Sequence, residues 1–184
     1  GRFANTLVQY TYSKAKANGE YDKSAFGEVW VDAPSQQFLM PYDRPHDFTI
    51  SIHTKKIPFG IGAGLTGFYQ SGYPYTPVIF NGDKPQSDVK NKNTKRAPAY
   101  KNVNLSLSKV FKYYGMKVSL GLNVYNLFDL RIPLDVFDLT GEPDDPGEYY
   151  TENVGTEVSG SYYNFPWYFT SPRQINFTAR FDFR

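Results

Sequence analysis

Residues 174–184 read Q-I-N-F-T-A-R-F-D-F-R, in which apolar and polar residues alternate without exception. A period of two is typical of a β-strand with one apolar and one polar face. Such a strand, with three phenylalanines on one face, would aggregate if that face and an unpaired edge were exposed to water. The stretch therefore predicts a strand paired inside a closed β-barrel, with its apolar face in contact with lipid.

The same alternation occurs in five other segments, so the chain is predicted to contain six strands. Near the middle of one segment, Leu120 and Leu122 alternate with Ser119 and Asn123. We therefore expect an all-β fold, namely an antiparallel transmembrane β-barrel. The five further predicted strands cover residues 5–13, 47–55, 61–70, 102–111 and 116–125.

The composition is consistent with strands rather than apolar helices. Aromatic residues make up 18% of the 184 residues, although the mean hydropathy is only -0.52. No segment approaches the ~20 consecutive apolar residues of a membrane helix, and the signal of a transmembrane strand is weaker. The net charge of +2 argues against a nucleic-acid partner, and the absence of cysteine excludes disulfides and thiolate metal sites.

Short and long connections alternate between the predicted strands. The short turns are residues 56–60 and 112–115, and the long connections are residues 14–46, 71–101 and 126–171. Outer-membrane barrels have short periplasmic turns and long external loops. We therefore expect a location in the outer membrane of a Gram-negative bacterium, with the carboxy terminus on the periplasmic side. Because six strands are too few to close a barrel, residues 1–184 are expected to be the carboxy-terminal part of one larger barrel domain. The alternative is that several copies of the chain combine to form the barrel.

Aromatic residues are predicted to form two bands on the apolar face, as in the interfacial girdles of such barrels. The alternative is that they form the core of a soluble all-β protein. The band at the long-loop end would contain Tyr10, Tyr12, Phe48 and Tyr69, and the band at the short-turn end Phe59, Phe111, Tyr113 and Phe183.

The sequence offers little support for catalysis. The two histidines are His46, before a predicted strand, and His53, on the polar face of that strand near Ser51. No nucleophile elbow, phosphate-binding glycine loop or pair of zinc ligands accompanies them. We therefore predict that the protein is not an enzyme, that it requires no cofactor and that His53 lines a polar lumen.

The longest connection begins with an acidic stretch. Nine acidic residues lie between Asp129 and Glu157, where Arg131 is the one basic residue. Carboxylates at this density suit calcium, and Asp144 and Asp145 would be the candidate ligands. The spacing does not match a known calcium loop, so a solvated acidic loop is the alternative and no metal site is predicted.

The same connection becomes aromatic after the acidic stretch. Exposed aromatic rings can stack on a ligand or can pack a loop against its neighbours, and both interpretations remain open. The candidate ligand-binding residues are Tyr149, Tyr150, Tyr162, Tyr163, Trp167 and Tyr168.

Several motifs resemble the carboxy-terminal barrel region of TonB-dependent outer-membrane transporters. The clearest pair is N-L-F-D at Asn126, Leu127, Phe128 and Asp129, which ends the fifth predicted strand, and P-R at Pro172 and Arg173, which precedes the last strand. The segment Tyr42 to His46, Y-D-R-P-H, resembles a motif that opens a strand in this family. Further similar segments are L-V-Q-Y-T-Y-S-K at residues 7–14 and G-F-Y-Q-S-G-Y-P-Y-T at residues 67–76.

The resemblance implies a 22-stranded barrel with an amino-terminal plug domain, which is absent from these residues. It implies uptake of a siderophore, cobalamin, oligosaccharide or peptide, driven by a TonB-type energy-coupling protein. The other implied partners are outer-membrane lipid, lipopolysaccharide, the rest of the barrel and plug, and the barrel-assembly machinery. That machinery recognises a terminal aromatic residue, whereas here Phe183 is followed by Arg184.

Two further expectations concern the motif and the function. Asn126 to Asp129 are predicted to be structural, because their polar side chains can bond the backbone where a strand ends. The alternative function is a passive or structural barrel that anchors a cell-surface assembly.

Overall fold

The computed structural model of the protein describes residues 4–17, 37–153 and 165–183. Its main feature is a six-stranded antiparallel sheet. The six strands lie side by side in the order in which they occur along the chain. The six strands are β1 (Ala4–Tyr12), β4 (His46–Ile57), β5 (Ile61–Gln70), β10 (Tyr100–Tyr113), β11 (Met116–Tyr125) and β12 (Gln174–Asp182).

The strand register keeps the two faces of the sheet distinct. Leu122 in β11 lies opposite Leu107 in β10 and Phe177 in β12. The next residue, Asn123, lies opposite Ser106 and Asn176. Because side chains alternate between faces, apolar positions form one surface across the strands and polar positions form the other. We call these surfaces the apolar face and the polar face.

The two short turns use backbone conformations with positive φ. Tyr113 pairs with Met116, and the two residues between them, Tyr114 and Gly115, have φ values of 45° and 79°. Two consecutive positive φ values are typical of a two-residue hairpin whose twist matches that of the strands. The other turn follows a bulge in β4 and passes through Phe59 at φ 69°.

The described parts of the long connections contain short pairs of strands and a short α-helix, α1 (Glu148–Asn153). These pairs are β2 (Lys16–Ala17) with β3 (Phe38–Leu39), β6 (Pro74–Tyr75) with β9 (Lys95–Arg96), and β7 (Val78–Asn81) with β8 (Lys84–Ser87). All three long connections leave the sheet at the same end, because Tyr12 pairs with His46, Asp47 with Gln70, and Tyr125 with Gln174. In the described ranges, no helix is long and apolar enough to cross a bilayer.

The prediction of an antiparallel all-β fold is confirmed, and the main sheet contains the six predicted strands. The sheet itself is open within the described residues, since β1 and β12 each pair with one neighbour. The placement of His46 before a strand was wrong, because β4 begins at His46. Hydrogen bonding extends the strand to this residue: the backbone N–H of Ser71 donates to the His46 carbonyl at 2.8 Å.

Candidate functional site

At the long-loop end of the sheet, an ion pair forms around the buried carboxylate of Asp43. Asp43, which precedes β4, is 1% exposed, and its Oδ2 accepts a short hydrogen bond from Nη2 of Arg96 in β9. Nη1 of Arg96 also donates to the carbonyls of Asp43 and Gly72, each at 3.0 Å. The other carboxylate oxygen of Asp43 accepts from the backbone N–H of Ala15. We call this set of contacts among Asp43, Arg96 and Ala15 the latch. It joins the first long connection (residues 14–46) to the second (residues 71–101).

The latch sets the ionisation of Asp43. Burial acts to raise the pKa of this carboxyl group, because it disfavours the charged form. The hydrogen bonds from Arg96 and Ala15 and the positive charge of Arg96 outweigh burial, so the pKa lies below its ordinary value. Asp43 is therefore a carboxylate at neutral pH.

The segment after β5 approaches its neighbour too closely for a side chain. A Cβ atom on Gly72 would lie 1.7 Å from the carbonyl oxygen of Ala97, so only glycine fits at this position. The next residue, Tyr73, donates a hydrogen bond from its hydroxyl to Oδ1 of Asp135 at 2.8 Å. Burial, followed by this hydrogen bond and the charge of Asp135, raises the pKa of Tyr73. The contact connects the second long connection to the third.

In the acidic part of the third connection, the carboxyl group of Asp138 lies where its charged form is disfavoured. Burial raises the pKa of Asp138, and the nearby charge of Asp135 raises it further. The calcium hypothesis gains no support here: Oδ1 of Asp145 accepts the backbone N–H of Gly147 at 2.9 Å. No cluster of three or more His, Cys, Asp or Glu side chains suited to a metal occurs in the described part of the chain.

The N-L-F-D motif forms the junction between β11 and the third connection. Asn126 is buried, adopts φ 54°, and accepts the backbone N–H of Leu130 on its Oδ1 at 2.9 Å. Its Nδ2 donates to the carbonyls of Leu130 at 3.0 Å and Ser171 at 3.3 Å. Asparagine suits this position because its side chain bonds locally and tolerates a positive φ.

Asp129 and the P-R pair complete the junction. Oδ1 of Asp129 accepts the backbone N–H of Arg173 at 2.7 Å, just before β12 begins. Nη1 of Arg173 donates to the carbonyl of Leu127 at 3.4 Å. The junction thus brings Asn126, Leu127, Asp129 and Arg173 together as hydrogen-bonding partners that fix where β11 ends and β12 starts.

A pocket of about 420 Å³ lies beside this junction, where the polar face of β10, β11 and β12 meets the third connection. Its walls carry side-chain amides, hydroxyls and one aromatic ring. The residues that define this amide pocket are Asn102, Asn104, Tyr125, Asn126, Thr170 and Gln174. Such a set of donors and acceptors around a ring suits a polar, hydroxyl- or amide-bearing ligand.

Two buried polar atoms at the amide pocket lack a hydrogen-bond partner. Among the described residues, Asn102 Oδ1 and Thr170 Oγ1 are the buried side-chain oxygens with this property. Buried polar groups are nearly always paired, so these two are distinctive. Both residues line the amide pocket, although the two oxygens themselves are shielded from solvent.

Aromatic residues of the third connection form a cluster near its carboxy-terminal end. The rings of Phe165 and Trp167 stack with centroids 4.8 Å apart, and Phe137 lies 5.2 Å from Tyr168. The indole of Trp167 is 67% exposed, so it is accessible to a ligand, whereas Tyr168 packs between loop residues.

The other predicted aromatic residues lie elsewhere. Tyr149 and Tyr150 belong to α1 and contact each other, with ring centroids 5.3 Å apart. Tyr149 also packs edge-on against Phe80 at the tip of the β7–β8 hairpin, at 5.4 Å. These contacts agree with the loop-packing alternative for this pair. Tyr162 and Tyr163 lie outside the described residues.

The amide pocket and the partner of Asp43 were not predicted from the sequence. Asn102, Asn104 and Gln174 share the polar face, and that parity was visible in the alternation. Which loop residues cover them depends on the path of the third connection, which no local pattern reveals. Arg96, which pairs with Asp43, lies 53 positions away along the chain.

Comparison of the chain with protein-family models, with curated proteins and with solved structures gave no match. The assignment of a family therefore depends on the motifs and on their placement in the fold.

Proposed function

We propose that this chain is the carboxy-terminal part of a 22-stranded outer-membrane barrel, belonging to a TonB-dependent transporter. The observation that carries the proposal is the register of the six strands. It maintains an apolar face and a polar face across the sheet, while every long connection leaves from one end. A bilayer would cover the apolar face, and an aqueous lumen would contact the polar face.

The motifs add a second line of support. The Y-D-R-P-H segment supplies Asp43 to the latch, and N-L-F-D and P-R bond to each other at the junction. Motifs that are far apart in the sequence thus have structural roles at the same end of the sheet. The third connection and the amide pocket would form part of an external vestibule for a polar ligand.

Location and fold are tested with the complete protein that contains this chain, expressed in a Gram-negative host. We expect it in the outer-membrane fraction, with gel migration that changes on heating, as stable barrels show. Recovery as a soluble protein without detergent would overturn the proposal.

Energy coupling is tested by uptake. A strain lacking the gene should lose growth when one iron chelate, cobalamin, oligosaccharide or peptide is the limiting nutrient, and loss of the energy-coupling protein should have the same effect. Uptake that continues without the coupling protein would favour the passive barrel instead.

A further inference from the structure

We propose that the apolar face carries a binding site for one anionic glycerophospholipid of the leaflet on the short-turn side, with Lys109 as the headgroup ligand. This inference rests on the proposed function, because it needs the apolar face to contact a bilayer. It concerns a different face from the amide pocket.

Charged residues are rare on the apolar face, and those present have the same sign. At the paired positions of this face, the charged residues are Lys101 and Lys109, both in β10. Lys109 lies between Ile61 of β5 and Leu120 of β11. Within the described residues, no acidic side chain forms an ion pair with it. Its ammonium group is therefore available to an anionic group from outside the protein.

The position of Lys109 fits a headgroup on the short-turn side. It lies four residues before the end of β10 at Tyr113, roughly 9 Å along the membrane normal for a strand tilted by about 45°. Phe111, on the same face, lies nearer to the turn. A lysine at this depth extends its flexible stem along apolar surface and places its ammonium group at the interface.

An apolar groove adjoins Lys109. It has a volume of about 160 Å³, and its walls include Ile61, Leu107, Leu120, Leu122 and Phe177. The groove runs across β10, β11 and β12 toward the middle of the sheet, away from the short turn. A phosphate bound at the ammonium group would therefore lead an acyl chain into a surface of matching polarity, which distinguishes a phospholipid from a free phosphate ion.

The site is tested by native mass spectrometry of the complete protein, released from mixed micelles that contain equal amounts of phosphatidylglycerol and phosphatidylcholine. We expect the wild type to retain phosphatidylglycerol preferentially. Lys109→Gln should reduce that preference about fivefold, and Lys109→Arg should preserve it. Lys112→Gln is the matched control, since Lys112 belongs to the same strand but lies on the polar face opposite Lys117.

Several results would overturn the site. They are a preference that survives Lys109→Gln, an equal loss in Lys112→Gln, and complete displacement of the lipid by glycerol phosphate, which would indicate a simple anion site. Each variant is checked for heat-modifiable migration. A heat-modifiable barrel whose lipid preference ignores Lys109 refutes the lipid site alone, whereas failure to enter detergent micelles refutes the barrel as well.

Discussion

Oδ1 of Asp129 accepts the backbone N–H of Arg173 at 2.7 Å, although the two residues are 44 positions apart. The bond ties the end of β11 to the start of β12 across the whole third connection. Asp129 has φ 55°, which aspartate tolerates better than alanine. We expect Asp129→Ala to lower the free energy of unfolding by about 1 to 2 kcal/mol, through the lost bond and the strained backbone.

The matched variant for this junction is Asp129→Asn, which retains a side-chain oxygen acceptor and tolerates the same φ. It should lose less than half as much stability in a urea titration of the complete protein in detergent. Equal losses in the two variants would show that neither acceptor nor backbone conformation matters at Asp129.

The apolar face makes a clear prediction about charge. Leu122, opposite Leu107 and Phe177, lies near the middle of the sheet, so Leu122→Arg should cost about 2 to 4 kcal/mol in a bilayer. Asn123→Arg, one residue away on the polar face opposite Ser106 and Asn176, should cost far less. Folding yield into lipid vesicles measures both, and equal damage would contradict the assigned faces.

We expect a substitution in the amide pocket to change the ligand concentration needed for uptake rather than the folding of the protein. Gln174 lines the pocket and is solvent-exposed, so Gln174→Ala should raise the half-saturating concentration for uptake by roughly 2- to 10-fold, the effect of one lost hydrogen bond. Asn176→Ala is the control, because Asn176 lies on the same polar face without lining the pocket. A similar change in both variants would mean that the pocket does not contact the ligand.

The sheet could be predicted because each strand and its two faces are determined by residues that are adjacent in the sequence. In β11, a period of two over ten residues sets both the strand and its faces, and pairing with a hairpin neighbour follows from the short turn after Tyr113. Asp43 and Arg96, the ion pair of the latch, are 53 positions apart in the sequence. No local pattern indicates which cation pairs with a buried carboxylate. The amide pocket is non-local in the same way, since Thr170 and Asn102 line it together only because of the path of the third connection.

Substituting either partner of the latch should lower the free energy of unfolding, but by different amounts. Arg96→Ala leaves the Asp43 carboxylate buried without its cation and should cost about 3 kcal/mol, the lower end for a broken buried pair because Arg96 is partly exposed. Asp43→Asn removes the buried charge and keeps an acceptor for the Ala15 N–H, so it should cost less. The order of the two variants in urea titration tests this, and the reverse order would contradict a buried charge.

The latch also has a defined pH dependence. The pKa of Asp43 is lower in the folded protein than in the unfolded chain, so its contribution is complete above the unfolded value of about 3.9 and is lost as the pH falls through the folded value. Wild type should therefore lose its advantage over Asp43→Asn as the pH falls through and below about 3.9. A difference that stays constant over that range would show that Asp43 is not the titrating group.

The ionisation of Asp138 should have the opposite effect on the pH dependence of stability. Burial and the charge of Asp135 raise the pKa of Asp138 in the folded protein, so its protonated form favours folding, and this favourable contribution is lost as the pH rises through the raised value. Asp138→Asn removes the unfavourable charge and should raise the midpoint temperature at neutral pH, with a gain that shrinks as the pH falls toward the unfolded value of about 3.9. Asp144→Asn, at another exposed position of the same connection, should produce a smaller change. A thermal melt at several pH values measures the difference, and a neutral-pH melt in which Asp138→Asn is less stable than wild type would contradict the cause given for the raised pKa.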